Sequence, residues 1–153
     1  MIKTPEFWNH RGIMSVLLWP LSLIWAFASA TRNHFATQST AALPVICIGN
    51  ITAGGTGKTP VTAFLYDGLR AAGYRPAILI RGYGAAVSAP LWVDPSQHTV
   101  DDCGDEALML AESRDVLVAP DRVAGAHVIS LRGLHDVILM DDGMQNPFIS
   151  KTF

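Results

Sequence analysis

The chain has 153 residues, enough to bury one sizeable core, and half of them are hydrophobic. Its net charge of −2 argues against a broad nucleic-acid-binding surface. Cys47 and Cys103 stand far apart and the histidines at 10, 34, 98, 127 and 135 lack ligand spacing, so a disulfide framework or a zinc site is disfavoured and reduced cysteines in a cytosolic compartment are expected.

The first element in chain order is hydrophobic. No charged residue lies between Arg11 and Arg32, and the stretch from Ile13 to Ala30 carries Leu17, Leu18, Trp19, Leu21, Leu23, Ile24, Trp25 and Phe27. A secretory leader fits poorly, because Glu6 and a long polar lead precede the run. A spanning helix is borderline in length and contains Pro20. A helix lying in one leaflet suits the two Trp residues and the flanking arginines. A buried core helix is the plain alternative. Ser15, Ser22 and Ser29 recur every seven residues and form one narrow, weakly polar stripe. Residues 1–36 are therefore expected to be a membrane-associating segment, and 37–153 a separate nucleotide-binding domain.

That domain opens with an apolar strand, Pro44 to Ile48, and a helix-compatible run from Pro60 to Ala72. Between them lies Thr52-Ala53-Gly54-Gly55-Thr56-Gly57-Lys58-Thr59. Strand, glycine-rich loop, Lys-Thr and helix make a cradle for a nucleoside triphosphate: backbone N–H groups wrap the phosphates and the helix N-terminus adds partial positive charge. Lys58 can reach the β- and γ-phosphates, and the Thr59 hydroxyl can ligate Mg²⁺. Thr52 stands where the general pattern has Gly, and an ordinary glycine turn is the bland alternative.

The remainder alternates. Ala77 to Ile80 reads as a strand, Gly84 to Val100 as a loop holding a short strand at 91–93, and Asp105 to Ser113 as a helix. Asp115 to Ala119 reads as a strand, Asp121 to Leu131 as a helix, and Asp136 to Met140 as a strand. Strands rich in Val, Ile and Leu with helices between them imply an α/β fold of the P-loop NTPase type, its mostly parallel sheet covered on both faces. Ligands then collect at the carboxyl ends of the strands. Those ends carry Arg81-Gly82-Tyr83-Gly84, Asp121-Arg122, and Asp141-Asp142-Gly143 followed by Gln145. An apolar strand ending in Asp downstream of a phosphate loop is the Walker B arrangement for Mg²⁺, although Asp-Gly turns follow many strands. Arg81 and Arg122 suit phosphate or carboxylate recognition, or a surface ion pair. A kinase acting on a hydroxyl also needs a proton acceptor, and spacing alone does not choose Asp105 over Asp101 or Asp102.

Taken together, PVICIGNI leading into TAGGTGKTP, RGYG at 81–84, GDE at 104–106, DR at 121–122 and DDGMQ at 141–145 resemble the tetraacyldisaccharide 4'-kinase family, the lipid A 4'-kinases of Gram-negative bacteria. The hydrophobic N-terminus after Phe7-Trp8 is similar too. The resemblance implies transfer of the γ-phosphate of ATP to the 4'-hydroxyl of an acylated disaccharide 1-phosphate lipid. It implies work at the cytoplasmic face of the inner membrane, with the N-terminal helix dipping into the leaflet. Carried over by motif, 52–59 form the ATP loop, Lys58 and Thr59 serve phosphate and Mg²⁺, Asp105 becomes the base, and Asp141 and Asp142 the Walker B carboxylates. Arg81, Arg122 and Gln145 become further site residues, Arg81 and Asp142 with a part in catalysis and Gln145 with one in nucleotide binding.

The chain ends eight residues after Gln145, whereas members of that family are about twice as long. The expectation is therefore an incomplete kinase lacking the C-terminal lobe that closes over the nucleotide. Met144 and Asn146 stand where the family more usually has Phe and His. Two other readings are a membrane-associated regulatory ATPase, which Ala53 disfavours because such proteins carry Lys there, and an inactive nucleotide-binding remnant.

Overall fold

A computed structural model describes residues 13–35, 38–49, 57–144 and 146–152. The chain divides into two compact units, Met1–Thr37 and Gln38–Phe153. The phosphate-loop residues 52–56 and Gln145 lie outside the described residues.

In the first unit, α1 spans Ile13–Phe35, with Pro20 inside it. Ile13, Leu17, Trp19, Ile24, Trp25 and Phe27 are all exposed. Two of its hydroxyls turn inward on their own backbone: Ser22 Oγ donates to the Trp19 carbonyl at 2.6 Å and Thr31 Oγ1 to that of Phe27 at 2.7 Å. A hydroxyl satisfied this way presents mainly its apolar atoms outward. Among the described residues no helix is long and apolar enough to cross a membrane, so the spanning alternative finds no support.

In the second unit the strands are β1 (Val45–Ile48), β2 (Pro76–Ile80), β3 (Leu91–Trp92), β4 (Val116–Val118) and β5 (Val137–Asp141). They form one sheet in the order β1-β5-β2-β4-β3. The first four in that order are mutually parallel, with Val45 opposite Ile138, Ile78 opposite Leu139 and Ile78 opposite Val116. The β3 edge pairs antiparallel, Leu91 opposite Val118. The helices are α2 (Lys58–Ala71), α3 (Val100–Cys103), α4 (Asp105–Ala111) and α5 (Arg122–Arg132). Every residue of the central strands β2 and β5 is buried, as expected of parallel strands covered on both faces.

Side chains alternate between the two faces with the period of a strand. Ile78, Ile80, Val116, Val118 and Leu139 pack with Tyr66 of α2 and Leu110 of α4. Ala77, Leu79, Leu117, Ile138 and Met140 pack with Ala126 and Ile129 of α5 and with Ile149. Burial of each such large side chain contributes roughly 1.5–3 kcal/mol. Polar ties set the helix positions: the Asp115 N–H donates to the buried Tyr66 hydroxyl at 3.0 Å, and Arg114 grips Asp67 through Nε and Nη2 at 3.1 and 2.7 Å.

The alternation read from sequence matches this order of elements, with shifts at the ends. α2 begins at Lys58, inside the Lys-Thr signature, rather than at Pro60. β5 runs on to Asp141, so that carboxylate belongs to the strand end rather than to the turn beyond it. The region expected to be one helix from Asp105 is preceded by a short helix, α3, started by a reciprocal Thr99–Asp102 capping box.

Candidate functional site

The parallel strands place their carboxyl ends along one edge, and α2 starts there. Its N-cap, Gly57, sits in the left-handed region at φ 78°, and no side chain among the described residues caps the helix. The first N–H groups of a helix have no partner within it and suit an incoming anion, which the helix dipole favours. Lys58 and Thr59, the first two helical residues, line a cleft of about 390 Å³.

Opposite them the cleft is acidic. Lys58 Nζ lies 2.7 Å from Asp142 Oδ1, and this hydrogen bond raises the lysine above its ordinary pKa. Asp142 itself has φ 51°, the one positive value outside glycine among the described residues. Asp141 is buried, and burial pushes its carboxyl up, with the charge of Glu106 adding to the effect. Its Oδ1 has no hydrogen-bond partner among the described residues. Thr59 Oγ1 is 3.4 Å from Glu106 Oε1, a long contact.

Two further loops close the cleft. Gly82 has φ 72° and would press a Cβ into the Val118 side chain, so the turn after β2 can hold only glycine there without strain. The backbone of Gly104 packs against that turn, bringing Arg81 and Tyr83 beside Asp105 and Glu106. Tyr83 is almost fully exposed at the rim. Asp105 starts α4, where its Oδ1 accepts from the Glu106 N–H at 2.9 Å. Arg122 enters from α5, whose N-cap Asp121 accepts from the Val123 and Ala124 N–H groups. The Arg122 guanidinium is buried and lowered to about 10, chiefly by desolvation, with the nearby Asp141 charge opposing. Cys103 also lines the cleft, its thiol pushed up by burial.

Of the residues singled out from sequence, Lys58, Thr59, Arg81, Asp105, Arg122, Asp141 and Asp142 thus share one cleft with Gly57. Thr52, Ala53, Gly54, Gly55, Thr56 and Gln145 lie outside the described residues. Glu106 and Tyr83 line the cleft as well, and the sequence marks neither beyond its motif. Glu106 adjoins Asp105 and Tyr83 lies two residues after Arg81, and nothing in the spacing separates a cleft carboxylate from a helix-cap one.

No group of three or more His, Cys, Asp or Glu side chains arranged to hold a metal occurs among the described residues. The oxygens present nevertheless fit a hard divalent cation shared with phosphate: one hydroxyl, and a buried carboxylate oxygen without a partner. Mg²⁺ is usually held by one or two carboxylates together with substrate phosphates and water, not by a full protein cage.

Comparison with known proteins identifies relatives of the chain. The family model described as LpxK, tetraacyldisaccharide-1-P 4'-kinase, matches residues 14–153. A tetraacyldisaccharide 4'-kinase of Rhodopseudomonas palustris (strain BisA53) is 45% identical over 150 residues, covering 98% of this chain and 44% of the relative. One from Parvibaculum lavamentivorans is 43% identical over 157 residues, covering 99% and 46%. The crystal structure of LpxK from Aquifex aeolicus in complex with ATP superposes with a TM-score of 0.77 at 28% identity, covering 91% of this chain and 47% of that one. The chain spans somewhat less than half the length of the curated relatives it matches. With the family model covering nearly the whole chain and described residues of five motifs lining one cleft, the chain belongs to the tetraacyldisaccharide-1-P 4'-kinase family.

Proposed function

We propose that this chain carries the ATP-handling and proton-accepting half of a kinase that phosphorylates the 4'-hydroxyl of a tetraacyldisaccharide 1-phosphate, a lipid A precursor. The observation that carries the reading is the meeting of Lys58 and Thr59, at the open start of α2, with Asp141, Asp142 and Asp105 in one cleft. The activity is that of the named relatives, and the ATP-bound Aquifex structure shares the fold.

In this reading the α2 N–H groups and Lys58 hold the phosphates of ATP, with residues 52–56 continuing the cradle and Gln145 near the nucleotide. Thr59, Asp141 and Asp142 would hold Mg²⁺, which supplies charge neutralisation on the phosphates. Asp105 accepts the proton of the 4'-hydroxyl, whose oxygen attacks the γ-phosphorus as the bond to the β-phosphate oxygen breaks and ADP leaves. Arg81, which lines the same cleft, neutralises charge on the transferring group. Such chemistry gains mostly from positioning and electrostatics, which is what a cleft of fixed charges provides.

The lipid acceptor suits α1. Several exposed Leu, Ile, Trp and Phe side chains, each worth roughly 1.5–3 kcal/mol when removed from water, favour a helix lying in one leaflet. The place of action is then the cytoplasmic face of the inner membrane, where ATP and the acylated acceptor meet.

Exchanging this chain for the matching stretch of the Rhodopseudomonas relative, and following labelled γ-phosphate into tetraacyldisaccharide 1-phosphate in mixed micelles, tests the reading. Transfer to the 4'-position is expected, with Asp105→Asn losing it by several orders of magnitude while Mg-ATP still binds. A folded, Mg-ATP-binding chimera without transfer would contradict it. Transfer indifferent to Asp105→Asn would remove that residue from its role.

A further inference from the structure

Arg122 is the one buried arginine of the cleft, 4% exposed. Its origin is fixed, because Asp121 caps α5 directly before it through the Val123 and Ala124 N–H groups at 2.9 and 3.2 Å. Its Nη2 donates to the backbone carbonyl oxygen of Asp141 at 2.9 Å. No carboxylate pairs with it among the described residues. Nη1 keeps its N–H groups unpaired there but sealed from solvent, out of reach of an anion in the open cleft.

Burying a guanidinium on a single carbonyl is costly, and a residue that merely filled the space would not need a charge. The carbonyl it holds is a particular one. It belongs to the last residue of β5, and the peptide it forms leads into Asp142, whose φ of 51° is unusual for a residue with a side chain. Fixing that carbonyl fixes the peptide plane between Asp141 and Asp142, and with it the directions in which both carboxylates leave the backbone. One of those carboxylates is buried with an unpartnered oxygen, and the other meets Lys58.

We propose that Arg122 is a positioning residue for the Asp141–Asp142 pair: through the Asp141 carbonyl it sets the turn that presents the two carboxylates to a divalent cation and to Lys58, and it does not itself contact phosphate. The proposal rests on the Mg-ATP reading of the cleft. It resembles the outer-shell partners of metal sites, which act on the metal by orienting its ligands.

Binding of a fluorescent ATP analogue to the full chain, measured in EDTA and across a Mg²⁺ titration, separates the possibilities. Arg122→Met should not lower the EDTA affinity, and it should raise the Mg²⁺ midpoint by about 10- to 100-fold. Arg122→Lys, which can still donate to the carbonyl, should recover part of the shift, and it carries the same comparison if the Met variant does not fold. In the Arg122→Met background, Asp141→Asn should add little to the shift. A loss in EDTA as large as the loss in Mg²⁺ would show direct phosphate contact and overturn the proposal. A lowered melting temperature with an unmoved Mg²⁺ midpoint would reduce Arg122 to a packing residue, which also overturns it. Absence of any ATP binding by wild type would overturn the reading of the cleft and this inference with it.

Discussion

Nζ of Lys58 and Oδ1 of Asp142 meet at 2.7 Å across 84 residues of sequence. The ammonium expected to hold phosphate is therefore already engaged by a carboxylate expected to serve the metal. An incoming phosphate must take Lys58 from Asp142, and that exchange frees Asp142 for a cation.

The exchange gives Asp142→Asn opposite effects on two measurements. Asn tolerates the left-handed backbone at this position, so the fold should persist. The side chains are 26% and 69% exposed, and a pair of that kind is worth about 0–1 kcal/mol. ATP affinity in EDTA should accordingly rise by up to about fivefold, while the gain in affinity on adding Mg²⁺ should shrink. A fall of the EDTA affinity would mean that Asp142 helps bind phosphate rather than competing for Lys58.

Gly82 and Gly133 offer a paired test of the cleft wall. Both have positive φ, 72° and 66°, but a Cβ at Gly82 meets Val118 whereas one at Gly133 meets nothing within 4 Å. Gly133→Ala should cost about 1–2 kcal/mol from backbone strain alone. Gly82→Ala should cost about 2–4 kcal/mol, since overpacking adds to the strain. Urea unfolding of both variants would show whether the difference exists, and equal losses would discount the Val118 contact.

Much of the fold and part of the cleft were legible in the sequence. Uninterrupted apolar runs such as Ala77–Ile80 and Val137–Met140 can satisfy their hydrophobicity only inside a covered sheet, and the turn residues between them mark the crossovers. β3 was legible as a strand but not as an antiparallel edge, because two residues, Leu91 and Trp92, carry no directional signal. The site motifs could be placed at one sheet edge by strand ends alone. What no spacing reveals is the pairing through space: Lys58 with Asp142, Thr59 with Glu106, or Arg122 with a backbone carbonyl rather than an anion. The last case shows the limit most clearly, since residue type suggested one role and geometry supports another.

His135 lies remote from those contacts and shows the same limit. It is buried, stacked on Trp92 with ring centroids 5.2 Å apart, and Arg132 lies over that same indole. Nε2 is 3.3 Å from Asp115 Oδ2. Desolvation pushes its pKa below 6.5, with Asp115 opposing. The native state therefore resists protonation more than the unfolded chain does. Below about 6.5 the unfolded state binds more protons, and stability should fall as pH drops toward the depressed native pKa. The slope attributable to one proton is at most about 1.4 kcal/mol per pH unit. Urea unfolding at pH 7.5, 6.5 and 5.5 should show this slope, and His135→Gln should flatten it. An unchanged slope in the variant would place the titration elsewhere.

Deleting residues 1–37 should abolish sedimentation with anionic phospholipid vesicles, because the exposed apolar side chains of α1 go with them. The remaining unit carries the whole sheet and both of its hydrophobic clusters. A deleted form that still sediments with vesicles, yet stays monodisperse without them, would place the membrane contact on the second unit.

The most direct test of a Mg-ATP site at the carboxyl edge of this sheet is the affinity of wild type and Lys58→Ala for Mg-ATP, by calorimetric titration of the 153-residue chain. A hydrogen bond to a charged group contributes about 1.5–3 kcal/mol, so the variant should bind roughly 10- to 150-fold more weakly, with its unfolding midpoint little changed because Lys58 is only partly buried and its pair with Asp142 contributes little. Equal affinities in the two proteins would contradict the assignment and remove the start of α2 from the nucleotide site.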